Sequence, residues 1–229
     1  MPAFASKRGD RIGVLVEGGN TPLHTHVGTT VFNNFKKPYP YQWKLNEGVT
    51  EVVSKALAAS GFIPVNLAGT GLRFHDLSGL IVADNDKWRV GPGKEALLDR
   101  LRKEHGLKGV ILLQEARVLA ALECYGGPCA ERYADGPGLY TRGFLGSMMY
   151  MAVAAHQWNV FVLDSLSDLA RSGAMRKKTG VSMPVIRMRG FAPASYQDLT
   201  EAEFGQVRSE ILRFAESAAS EFAQALNPQ

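Results

Sequence analysis

His24, Thr25 and His26 are the residues whose types and spacing most suggest chemistry. In extended backbone, side chains two positions apart project from one face, so both imidazoles can approach a single metal ion. A third ligand would come from His75, Asp76 or His156. On that reading the protein is an exported metal-dependent hydrolase. The alternative is that both histidines serve as polar loop residues that hydrogen-bond their surroundings.

Other groupings carry less. Asp84-Asn85-Asp86 lacks the glycine and distant glutamate of a calcium loop and reads as a turn. Gly91-Pro92-Gly93-Lys94 precedes a helix whose free N–H groups attract anions. No Ser or Thr follows the lysine, so it reads as the turn that starts the helix. Asp164 and Asp168 are spaced for hydrogen bonding in a turn, in preference to acid–base work. There is no Gly-x-Ser-x-Gly elbow, Walker loop, Gly-x-Gly-x-x-Gly after the first strand, or His-Glu-x-x-His. Their absence disfavours common hydrolases, nucleotide-driven enzymes and metalloproteases. No cofactor is expected.

The non-catalytic features are stronger. Phe32, Phe35, Tyr39, Tyr41 and Trp43 fall within twelve residues, interleaved with Asn33, Asn34, Lys36 and Gln42. Such a density of rings either packs back on the core as a lid or forms a partner-binding patch. Cys124 and Cys129 flank Tyr125-Gly126-Gly127-Pro128, a turn-forming stretch that can bring the sulfurs together. Nothing nearby completes a zinc site. A small structural disulfide is expected, with two free thiols as the alternative. A disulfide implies an oxidising compartment. Ala3-Phe4-Ala5 before Ser6 matches the small-x-small pattern of a signal-peptidase site. A periplasmic or secreted protein with its leader removed is therefore expected, with a frayed cytoplasmic N-terminus as the alternative.

The elements that must position these residues follow from apolar periodicity. Residues 1–10 read as a flexible N-terminus and 11–229 as a single α/β domain. RIGVLVE (11–17) is a buried first strand, and 21–43, broken by Pro22, Pro38 and Pro40, an ordered loop. Val49, Val52, Val53, Ala56 and Leu57 mark a helix over 46–60 that stops at Gly61. Phe62–Leu67 is a strand, completing a βαβ unit with parallel pairing. Leu80–Ala83 is a short edge strand, 94–105 a second helix, and Leu107–Ala116 a central strand. Residues 139–175 read as antiparallel strands, with a helix over 165–173 as the alternative, and Pro184–Arg189 as a last strand. Thr200 and Glu203 have capping-box spacing before a long C-terminal helix, 200–226. Its apolar stripe runs Phe204, Val207, Ile211, Phe214, Ala218, Phe222 and Ala225. The expected architecture is a three-layer-like α/β domain on one mixed sheet.

Bulk properties agree with an ordinary globular protein. The 229 residues are 45% hydrophobic and 21% charged, with net charge +4. The excess basic charge is dispersed apart from Lys36-Lys37 and Arg176-Lys177-Lys178. That lacks the dense basic stripe of a nucleic-acid binder, so no nucleic-acid partner is expected. No apolar run approaches the roughly 20 residues that span a bilayer, so no membrane span is expected.

This order of elements resembles that of small periplasmic envelope proteins: the curli-secretion channel lipoprotein, the penicillin-binding-protein activator lipoproteins and the amino-terminal domain of the Tol translocation protein. RIGVLVE, the Val49–Leu57 helix, FIPVNL, LKGVILLQEA and VFVLDSLSDLARSGAM carry the resemblance, over about residues 10–226. The loops over 20–45 and 117–138 are longer than the pattern requires, and no lipid-attachment cysteine stands at the start. The resemblance implies a non-enzymatic, often oligomeric adaptor, activator or secretion subunit. It would act through a protein partner or self-association, with peripheral attachment to the envelope. A secreted effector is a further alternative.

Overall fold

The computed structural model describes residues 7–85, 87–123, 130–144 and 146–227. The chain runs from β1 (Arg11–Glu17) into β2 (Leu23–Val27) and β3 (Phe35–Pro38), then α1 (Leu45–Ala59) and β4 (Ile63–Asn66). The short α2 (Phe74–Leu77), the hairpin β5 (Ile81–Asp84) and β6 (Lys87–Val90), and α3 (Glu95–Lys103) precede β7 (Leu107–Glu115). There follow β8 (Val118–Glu123), β9 (Ala130–Ala134), β10 (Gly138–Phe144), β11 (Ser147–Val153), β12 (His156–Val162) and β13 (Ser167–Asp168). The chain closes with α4 (Gly173–Thr179), β14 (Val185–Arg187) and α5 (Glu201–Leu226).

The fold class is α/β, as the sequence indicates, but two five-stranded sheets, with the hairpins β5-β6 and β8-β9 beside them, replace the single one. The first has the order β13-β12-β7-β1-β4, with β1 parallel to both β4 and β7 and β12 antiparallel to β7. The second has the order β14-β11-β10-β2-β3, with β2 and β10 parallel and the remaining pairs antiparallel. Strand β1 carries apolar residues to both faces, so it is central. Ile12, Val14 and Val16 share a core with α1 and α5, whereas Leu15 belongs to the α2–α3 side with Leu77, Leu98 and Leu101.

Helices α1 and α5 form the layer between the sheets. Their apolar sides share one core with Ile111, Leu113, Trp158 and Val160 of the first sheet and Leu139 and Ala152 of the second. A helix held between two sheets has apolar contact on more than one side. The buried set of α5 accordingly includes Ala215, Ala219, Ala223 and Leu226, while Phe214 is half-buried. The expected stripe is therefore rotated slightly, because small residues take the closest approaches. The predicted capping box is present: Glu203 N–H donates to Thr200 Oγ1 at 3.3 Å and Thr200 N–H to Glu203 Oε2 at 2.6 Å.

Three further departures have plain causes. The 21–43 loop contains β2 and β3, whose inward positions include histidine and so show no apolar alternation. The expected edge strand is β5, closed by β6 through a turn in which Asn85 takes φ 47°. Beyond β13 the chain turns through Leu169–Arg171 into α4, so no strand continues to Met175. Buried Asp168 sets that turn: its carboxylate accepts from the N–H groups of Val160 and Ala170 and from Asn159 Nδ2. Asp164 instead pairs with Lys108 at 2.9 Å. At the N-terminus, Gly9 N–H donates to Gly61 O at 2.8 Å, tying residues 9–10 to the end of α1. Cys124 and Cys129, and the disulfide expected between them, lie outside the described residues.

Candidate functional site

Strand β2 inserts between β3 and β10, and its alternation directs His24 and His26 to one side, as the sequence indicates. What they meet is Thr141 of β10. Its Oγ1 stands 2.7 Å from His24 Nε2 and 2.8 Å from His26 Nδ1. One hydroxyl has one proton, so it donates to one ring and accepts an N–H from the other. His24 Nδ1 is buried with no partner among the described residues. Orphaned buried N–H groups are the rarer kind, which favours His24 Nε2–H donating to Thr141 and Thr141 donating to His26 Nδ1.

This unit is sealed. His24 and Thr141 have no exposed surface and His26 is 3% exposed. Phe35 stacks on His26 and stands edge-on to His24, both at 5.0 Å, and Tyr196 covers His26 at 4.9 Å. Burial holds His24 down at about 3, helped by the positive fields of His26 and Lys37. Burial, then Arg142, lowers His26 as well. Both rings are neutral at pH 7. The proposed third metal ligands are elsewhere: His75 pairs with Asp76 on α2, and His156 starts β12 in the other sheet. Among the described residues, no group of three or more His, Cys, Asp or Glu side chains could hold a metal ion. Replacing Thr141 with Val is expected to cost about 2–3 kcal/mol, because both imidazoles would lose their partner. Equal urea midpoints for Thr141→Val and the wild type would contradict this.

The aromatic segment divides. Tyr39 and Trp43 are core residues, 4% and 5% exposed. Tyr39 and Tyr41 donate their hydroxyls to the carbonyls of Gln197 and Leu199 at 2.7 and 2.9 Å, and both rings lie against Phe204. Lys37 donates to Gln197 O and pairs with Asp198. Together these side chains strap the segment before α5 onto the second sheet. Phe32 is different: it is 94% exposed and its neighbour Val31 75%. The two sit on a short 3-10 turn, Val31–Asn33, that joins β2 to β3. Arg142 reaches back to the carbonyl of Gly28, and Gly28 N–H donates to Asn34 Oδ1 at 2.9 Å, so the base of the turn is fixed. Val31 escaped the sequence reading because a lone valine beside Thr29-Thr30 has no periodic context. Strand β3 itself is a poor site for strand addition: it is an edge that carries Lys36, Lys37 and Pro38, the residues that block edge pairing.

A cleft of about 690 Å³ opens at the carboxyl ends of β1 and β7, where the chain leaves for β2 and for β8. Open α/β sheets bind ligands at such points. Here the lining is largely paired internally. Glu115 Oε2 accepts Gly19 N–H at 2.5 Å, Asn46 Nδ2 donates to Gly18 O, and Arg117 pairs with Asp135 at 3.1 Å. Gly136, at φ 131°, packs so closely on Glu115 that a Cβ there would clash with the carboxylate. The arrangement latches three loops together.

No protein-family model matches the chain, and no curated protein sequence matches it.

Proposed function

We propose that the protein is a non-catalytic adaptor or assembly component of the cell envelope, acting through protein–protein contacts or self-association. The observation that carries this reading is the Val31–Phe32 tip: a fully presented aromatic side chain beside an exposed valine, on a turn whose base is hydrogen-bonded to a sheet. Large apolar side chains on a fixed scaffold concentrate binding energy because little ordering remains to be done on contact. The order of elements, with its resemblance to envelope lipoproteins, supports the compartment and the adaptor role. No helix among the described residues is long and apolar enough to cross a membrane. The alternative, a hydrolase with metal on His24 and His26, would need an accessible His24; that ring is wholly enclosed.

The test is the double change Val31→Ser with Phe32→Ser. Each residue is expected to contribute more than about 1 kcal/mol to association, so the pair should weaken it by about 30-fold. Sedimentation of the purified protein reads self-association, and comparative capture from envelope extracts reads a partner. Melting temperature should not fall, because neither side chain is packed. Unchanged association and unchanged capture in the folded double variant would overturn the reading.

A further inference from the structure

A second cleft, of about 850 Å³, lies between the beginning of β12, the link from β7 to β8, the Ser78–Val82 stretch and the chain after α4. Its volume is in the range that holds small organic ligands. Arg171, Arg176 and the Asp135-paired Arg117 line it, and no Asp or Glu does. Arg171 and Arg176 are exposed and have no carboxylate within 4 Å among the described residues. Asp168, whose carboxyl feels the Arg171 charge, is buried and occupied by Val160, Ala170 and Asn159. A concave wall of one charge sign draws counter-ions, and guanidinium forks match the planar oxygens of carboxylate and phosphate.

Apolar side chains line the cleft as well. Leu119 and Met183, 42% and 52% exposed, belong to this cleft, together with the buried Trp158. Large apolar side chains left open beside unpaired arginines match an apolar body attached to an anionic head. His156 completes the inner wall. It is 4% exposed, and its Nε2 has no hydrogen-bond partner among the described residues. Burial holds it down to about 4, so it presents a neutral ring and the positive charge comes from the arginines.

We propose that this cleft binds a small amphipathic anion, a phosphate or carboxylate head on an apolar body, with Arg171 and Arg176 on the head and Leu119 and Met183 on the body. The site is separate from the Val31–Phe32 tip and does not depend on the assembly reading.

The test uses the whole chain and two probes of one shape, 1-naphthyl phosphate and uncharged 1-naphthol, in calorimetric titration. Saturable 1:1 binding of the phosphate is expected, at least tenfold tighter than the naphthol. Arg171→Met with Arg176→Met should weaken phosphate binding at least tenfold, and Met183→Glu should do the same by repulsion. Lys55→Met with Arg100→Met, which remove exposed charges on α1 and α3, should leave it unchanged. Displacement of the probe by phosphatidylglycerol vesicles would assign the head to a lipid, and failure to displace it would assign a soluble anion; the pocket stands in either case. Absence of saturable binding, equal affinity for the two probes, or wild-type affinity in both folded cleft variants would overturn it.

Discussion

Phe222→Ala is expected to destabilise the protein by about 3–5 kcal/mol. The ring has no exposed surface and lies 5.6 Å from Trp158 of the first sheet, in the layer that α5 shares with α1. A cavity there cannot collapse easily, because α5 is held from both sides by sheets whose own strands are fixed by their ladders. Phe214→Ala should cost about half as much or less, since that ring is half-buried over Gly180. Arg213→Ala, on the solvent side, should stay within about 0.5 kcal/mol. Urea midpoints at constant slope read all three. Equal midpoints for the two phenylalanine variants would show that α5 buries a different face from the one described.

Acidification should weaken the fold well before carboxylates are fully protonated. His24 and His156 are buried as neutral rings, held near 3 and near 4 where an exposed histidine titrates at 6.5. Below pH 6.5 the unfolded chain takes up protons that the folded chain refuses. Their contribution is therefore complete above pH 6.5 and is lost as the pH falls toward 4. Each such group costs about 1.4 kcal/mol per pH unit well below 6.5, so the pair removes on the order of 4 kcal/mol between pH 7 and 4.5. Lowered His26 adds in the same direction. Asp168 works oppositely: burial raises its carboxyl, so its protonation favours the folded state as pH falls. His156→Gln should flatten the fall in urea midpoint between pH 7 and 4.5 by about half. A wild-type midpoint that does not move over that range would mean the rings are not buried as described.

Legibility in the sequence tracked how much of an element's burial is apolar. β1, α1, β7 and α5 are read correctly because Ile, Val, Leu and Phe mark their periods. β2 is invisible because its inward positions include His24 and His26, and its partner β3 because Lys36 and Lys37 occupy an edge. The pairing of β2 with β10 joins residues more than a hundred positions apart, which no local pattern encodes. For the site, the two-residue spacing of His24 and His26 correctly placed them on one face, but Thr141 gave no local signal. The aromatic run was visible as a run. Its division into a strap and a presented tip depends on Phe204 and the carbonyls of Gln197 and Leu199, which lie about 160 residues on.

The position of α5 also bears on when the molecule can fold. Strands of both sheets are complete in sequence by β14, yet α1 alone fills only part of the layer between them until α5 has been made and docked. Between the making of β14 and the docking of α5 a nascent chain would hold partly open apolar surfaces, the condition in which intermediates aggregate or recruit chaperones. Its closing contacts include Tyr39 and Trp43 on Phe204, so the slow step is expected to be docking of this helix, with closure of a loop of about 160 residues as its entropic cost.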